Sequence, residues 1–104
     1  MQQRQYGIAV DCFKNAIKNR PSYFMAYSNM GSSYYALGQW QNAVDAFTKA
    51  IELKPERWQY YINRGLVYEQ MKKMKEAAKD FETAHRISGN NNAAATHYNR
   101  SRNW

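Results

Sequence analysis

The side chains most often used for proton transfer, nucleophilic attack and metal binding together are scarce in this sequence: one cysteine, Cys12, and two histidines, His85 and His97. A metal site gathers several Cys, His or carboxylate ligands, usually at spacings such as C-x2-C or H-x3-H, and neither spacing occurs here. No Gly-rich phosphate loop lies near either histidine. The sequence therefore predicts no catalytic residue, no metal ligand and no cofactor. Cys12 is expected as a partly buried small side chain on a helix, His85 as a semi-buried interface residue, and His97 on the groove side of a weakly ordered tail. The chemistry that remains is recognition. Asn29 and Asn63 each carry an amide that both donates and accepts, so either can pair with a peptide group without reading the side chains of a ligand.

The interval between those asparagines belongs to a larger pattern. Tyr27, Asn29, Gly31, Tyr34, Ala43, Phe47 and Ala50 recur as Tyr61, Asn63, Gly65, Tyr68, Ala77, Phe81 and Ala84, each 34 positions on (61 − 27 = 34). A fixed period of this size is the signature of a solenoid. In the other direction, Tyr6, Ala9, Val10, Phe13, Ala16, Ile17 and Pro21 match Trp40, Ala43, Val44, Phe47, Ala50, Ile51 and Pro55, so the sequence opens halfway through a repeat.

Within a repeat the apolar residues fall at three- and four-residue steps, the spacing of one helical face. Two helices per repeat follow. Gly38 supplies a left-handed C-cap for the first helix, and Pro55 ends the second by disfavouring helix at the residue before it. Gly31 and Gly65 sit in helix interiors at a cost of about 1 kcal/mol each relative to Ala. Close approach of a neighbouring helix is the expected reason, with Ala43 or Ala77 as the small residue opposite.

These residues resemble the tetratricopeptide repeat. Its pattern W-x2-L-G-x2-Y, A-x3-F, P reads here as Tyr27-x2-Met30-Gly31-x2-Tyr34, Ala43-x3-Phe47 and Pro55. The next copy reads Tyr61-x2-Arg64-Gly65-x2-Tyr68 and Ala77-x3-Phe81, departing where Arg64 replaces an apolar residue and Gly89 stands in for Pro. The expected fold is all-α: a right-handed superhelical solenoid of α-α hairpins, with about two full repeats and flanking half repeats in one domain over residues 1–104. Residues 5–21 hold the outer helix of a truncated first repeat, with the helix itself at about 5–19. Full repeats occupy 24–57 and 58–91, and 92–104 a partial inner or capping helix. That last helix is expected to be short or frayed, its thin apolar face carried by Ala95 and Tyr98, after a turn in which Asn90, Asn91 and Asn92 act as turn and N-cap residues.

The resemblance implies a concave groove, lined by the inner helices, that receives a peptide or helix of another protein. The candidate groove residues are Asn29 and Asn63, flanked at helical spacing by Met25, Ser32, Tyr35, Gln59, Leu66 and Gln70. The competing reading has each asparagine bond a neighbouring helix end or water. Relatives that hold acidic chaperone tails place Lys and Arg beside Asn on the inner helices, whereas here Ser28, Ser32 and Gln59 stand where cations would be wanted. A neutral, Tyr- and Asn-edged groove suits backbone recognition better. Tyr27, Tyr34, Tyr61, Tyr68 and Trp40 are read as packing between helices.

The net charge of +7 comes mostly from the outer helices and turns, where Lys14, Lys18, Lys49, Lys72, Lys75 and Lys79 are prominent. These cations alternate with Asp45, Glu52, Glu76, Asp80 and Glu82 at helical spacing, as on a solvated face. Nucleic acid is accordingly an unlikely partner, since a reader of one base per repeat would need more than two base-reading side chains. No run reaches the length needed to span a membrane. With a lone cysteine this suggests a soluble, cytoplasmic protein. The half repeat at the start leaves the face of Tyr6, Val10 and Phe13 partly open. Either the chain is cut from a longer array, the favoured reading, or another chain covers that face; such ends also allow a homo-oligomer. The sequence thus points to a non-enzymatic protein-binding module, with a structural array element as the alternative and an RNA-binding adaptor behind both.

Overall fold

A computed structural model describes residues 2–89 and 91–104. The described residues form six helices and no strands: α1 (Gln2–Asn19), α2 (Phe24–Ala36), α3 (Trp40–Leu53), α4 (Trp58–Gln70), α5 (Met74–Ser88) and α6 (Asn92–Ser101). α3 shows why the pattern folds this way: Ala43, Val44, Phe47, Ala50 and Ile51 form one stripe, and all are buried.

Short turns fold consecutive helices back on one another. Gly38 closes α2 at φ +74°, and the Gln39 amide donates to the Tyr34 carbonyl at 2.9 Å. The same turn follows α4, where the Lys73 amide donates to the Tyr68 carbonyl at 2.9 Å. Its left-handed position is held by Lys72 at φ 63°. Lys72 is the periodic equivalent of Gly38 (38 + 34 = 72), so a side chain with a Cβ bears strain where the first repeat has none.

Each helix packs on its sequence neighbours, most extensively α2 on α3 and α4 on α5. α2 also touches α4, and α4 touches α6, whereas among the described residues α1, α3 and α5 make no such contacts with one another. The even-numbered helices are thus the more closely spaced row. A stack with one row closer than the other curves toward that row, which makes α2, α4 and α6 its concave side.

The interior glycines are required by aromatic rings rather than by the alanines. A Cβ on Gly31 would lie 2.9 Å from the Phe47 ring, and one on Gly65 would lie 2.7 Å from that of Phe81. Ala43 and Ala77 are buried in the same clusters but are not the groups that forbid a side chain. Phe47 and Phe81 are the largest fully buried side chains, so each repeat is built around a ring that only glycine lets the inner helix approach.

Arg64 and Asp80 also depart from the sequence reading. Asp80 is 4% exposed rather than part of a solvated face. It accepts two hydrogen bonds from Arg64, from Nε and Nη2, both 2.8 Å long. Arg64 Nη1 donates to Thr48 Oγ1 at 3.1 Å, and the guanidinium lies over the Tyr61 and Tyr68 rings. The hydrogen bonds to Asp80 hold the Arg64 pKa above its ordinary value. One repeat earlier the same two places are Met30 and Ala46, packed together with Val10. A buried ion pair has replaced an apolar contact.

The ends differ from expectation too. α1 starts at Gln2 rather than near residue 5. Val10 is buried against Met30 and Ala46, and Phe13 is half-buried beside them, so neither forms an open face by itself. Tyr6 is 37% exposed and Ile8, which the sequence reading passed over, is 55% exposed. Cys12 is exposed, not partly buried. α6 is a regular helix whose N-cap, Asn91, accepts from the amides of Ala93 and Ala94 at 2.9 and 3.3 Å. Asn92 is its first residue, and Asn90 lies outside the described residues. Ala94 rather than Ala95 is the fully buried contact, with Tyr98 packed beside it. The five inter-helix aromatics Tyr27, Tyr34, Tyr61, Tyr68 and Trp40 all pack against core clusters.

Candidate functional site

Helical spacing puts Met25, Asn29 and Ser32 on one face of α2, and Gln59, Asn63, Leu66 and Gln70 on the corresponding face of α4. Met25, Asn29, Ser32, Gln59 and Gln70 are exposed, whereas Tyr35, Asn63 and Leu66 are half-buried. Between the two helices runs a cleft of about 140 Å³, lined by Ser32, Tyr35, Asn63 and Leu66, with Phe47 beneath. The structure therefore joins four of the eight sequence-predicted residues in one concavity. Met25, Asn29, Gln59 and Gln70 stand on the same helices outside it. Phe47 was missed by the sequence reading, although Gly31 marks the place where the ring comes through to the inner helix.

Among the described residues, neither the Asn29 nor the Asn63 side chain makes a hydrogen bond within the chain. Both amides keep their donors and acceptor available. The cleft itself carries no charge. α2 has no ionisable group other than its tyrosines, and the arginine of α4, Arg64, is tied to Asp80. The Tyr35 ring leans against Trp40 at 5.3 Å between centroids, which fixes one wall of the cleft.

The groove gains charge only towards α6. Arg100 donates from Nη1 and Nη2 to the two carboxylate oxygens of Glu69, at 2.7 and 2.9 Å. This bond holds the Arg100 pKa above its usual value. His97 stacks on Phe81, with centroids 5.1 Å apart and planes 20° from parallel, and its Nδ1 lies 3.4 Å from Arg100 Nη2. Burial, followed by the nearby Arg100 charge, lowers the His97 pKa. His85 stacks on Tyr98 at 4.7 Å, and its Nδ1 is buried without a hydrogen-bond partner. The two imidazoles face different aromatic partners, and no group of three or more His, Cys, Asp or Glu converges among the described residues. Their role in the structure is to dock α6.

A family model described as the tetratricopeptide repeat matches residues 24–57, and a second with the same description matches 58–91. No significant match was found among curated proteins. Among solved structures, the first TPR of Spaghetti (RPAP3), bound to the HSP90 peptide SRMEEVD, is 25% identical with a TM-score of 0.87, over 97% of this chain and 80% of that one. The Arabidopsis OM64 TPR domain is 29% identical with a TM-score of 0.87, over 96% and 83%. The TPR2B domain of yeast Sti1, in complex with pHsp70, is 21% identical with a TM-score of 0.86, over 96% and 85%, a likeness of fold alone.

Proposed function

The chain belongs to the tetratricopeptide repeat family, and from that premise we propose that it is a docking module holding an extended segment of another protein along α2, α4 and α6. The observation that carries this reading is the inner surface itself. It is uncharged over α2 and the adjoining face of α4, and it presents two asparagine amides, one per repeat, with no hydrogen-bond partner among the described residues. An amide of this kind can pair with a peptide group whatever the ligand's side chains are. Two of them spaced by a repeat hold an extended backbone in one direction and register.

The RPAP3 domain binds a peptide, SRMEEVD, with two Glu and one Asp. A surface that holds such a tail needs cations facing the groove, because a buried carboxylate without a partner is costly. Here Arg64 is committed to Asp80 and Arg100 to Glu69. The favoured ligand is therefore a neutral segment rather than an acidic tail.

The test is capture from a nuclease-treated extract by the wild-type domain and by an Asn29→Ala, Asn63→Ala double variant whose fold is verified by circular dichroism. Proteins retained by the wild type and lost by the variant support the groove. Equal retention by both overturns it. It would direct attention to the exposed Tyr6 and Ile8 of α1, where an array element or a self-associating chain would make its contacts.

A further inference from the structure

The repeat allows the cleft over Phe47 to be compared with its own counterpart. Adding 34 to Ser32, Tyr35, Phe47, Asn63 and Leu66 gives Leu66, Glu69, Phe81, His97 and Arg100. The second set is the group of residues by which α6 docks. Over Phe81 lie the His97 ring at 5.1 Å, the Arg100 guanidinium at 5.6 Å and the edge of Trp104 at 5.9 Å. Glu69 clasps Arg100 across the top. The second cleft is thus closed by planar groups of the chain itself.

Every residue that closes the second cleft is different in the first. Tyr35 replaces Glu69, Leu66 replaces Arg100, Asn63 replaces His97, and Gln70 stands in the place of Trp104 (104 − 34 = 70). Among the described residues no ion pair spans the first cleft, and an amide, that of Asn63, stands where the second cleft has the His97 ring. What remains is a concavity with an aromatic wall, an aliphatic wall and a phenyl floor, and with Ser32 and Asn63 at its polar edge. A guanidinium would find no carboxylate there, so the planar group that fits is an uncharged ring, which also gains from packing against Tyr35.

We propose that the cleft over Phe47 anchors one aromatic side chain of the bound segment, and that α6 closes the equivalent cleft over Phe81, so that the groove offers a single such anchor. The anchor rests on the docking function proposed above and names the feature of the ligand that the groove reads. Asn63, at the lip, is placed to bond the backbone beside the inserted ring.

Two exchanges between the clefts test it. Tyr35→Glu with Leu66→Arg installs the clasp in the first cleft; Glu69→Tyr with His97→Asn, Arg100→Leu and Trp104→Ala removes it, together with the rings over Phe81, from the second. The first probe is N-acetyl-tryptophanamide, with N-acetyl-alaninamide as control, followed by amide chemical shifts in the wild type. Shifts centred on Asn63 and Leu66 and specific to the indole are expected, with a second set around Phe81 appearing only in the clasp-removed variant. Indole shifts elsewhere, or none, overturn the anchor; a second site already present in the wild type, or still absent in the clasp-removed variant, overturns closure by α6.

The second probe is a displayed library of random peptides selected on the wild type. Selected peptides should carry an aromatic residue, and replacing it or installing the clasp should each weaken binding about tenfold or more. Peptides that need Asn29 and Asn63 but carry no aromatic and ignore the clasp overturn the anchor and leave the docking function standing. Peptides that ignore the asparagines as well overturn both.

Discussion

Arg64 and Asp80 allow the energetics of one repeat to be tested against the other. In Asp80→Ala the guanidinium loses both of its 2.8 Å bonds while its side chain is 18% exposed. Removing one partner of a buried pair typically costs about 3–5 kcal/mol, because the survivor is left as an uncompensated charge. The residual exposure of Arg64 and its bond to Thr48 favour the lower end, about 3 kcal/mol. At roughly 4–8 °C per kcal/mol for a domain of this size, the midpoint of thermal unfolding should fall by about 12 °C or more.

Arg64→Met with Asp80→Ala together should behave differently, because Met30 and Ala46 already fill these positions one repeat earlier, packed with Val10. Val44 is the equivalent of Val10 and is present to receive them (10 + 34 = 44). Thr48 would lose its partner but can turn its hydroxyl to a helix carbonyl. Replacing a buried pair by apolar residues of suitable volume is often neutral or stabilising, so the double variant should recover to within about 1 kcal/mol of wild type or exceed it. The assay is urea unfolding of all four species of the cycle, followed by circular dichroism at 222 nm. A cost below about 1 kcal/mol for Asp80→Ala, or simple additivity of the two single changes, would refute the argument that the pair is a desolvated unit.

Other outcomes follow from the same geometry. Lys72→Gly relieves a left-handed residue where the first repeat has Gly38, and urea unfolding should show a gain of about 0.5–1 kcal/mol; a loss would mean that the Lys72 side chain contributes something the backbone does not reveal. Gly65→Ala gains about 1 kcal/mol of helix propensity. It also drives a methyl to 2.7 Å from the fully buried Phe81 ring, at an overpacking cost of about 1–3 kcal/mol. The net should be destabilising, and the His97 and Trp104 resonances should shift with the ring; an unchanged spectrum would show that the ring can move freely. Because burial and Arg100 depress the His97 pKa, the folded chain binds fewer protons there than the unfolded one. The stabilisation tied to neutral His97 is complete above about pH 6.5 and fades as the pH falls through the lowered value. Amide protection in α6, taken relative to the intrinsic exchange rate at each pH, should weaken over that interval and lose this dependence in His97→Phe; equal slopes in both would refute it.

How much of this was legible in the sequence follows from which interactions are local. Helices and turns repeat with the apolar residues and with Gly38, because capping and amphipathic faces are set within a few residues. The interior glycines announced a close approach but not its partner: spacing alone cannot say whether Ala43 or Phe47 faces Gly31, since both lie on the buried stripe of α3. Arg64 looked like a departure from the family pattern and Asp80 like part of a solvated face, because each was judged against its neighbours in the chain. Compared with Met30 and Ala46 at the equivalent positions, they change together, and that joint exchange is the sequence trace of a pair. The candidate site obeys the same logic. Asn29 and Asn63 were found because they are alike, while the differences that set one cleft apart from the other, Tyr35 against Glu69 and Leu66 against Arg100, were overlooked. In a repeat protein, conserved positions build the scaffold, and the positions where two copies disagree are where a groove acquires a direction and a distinct place for its ligand.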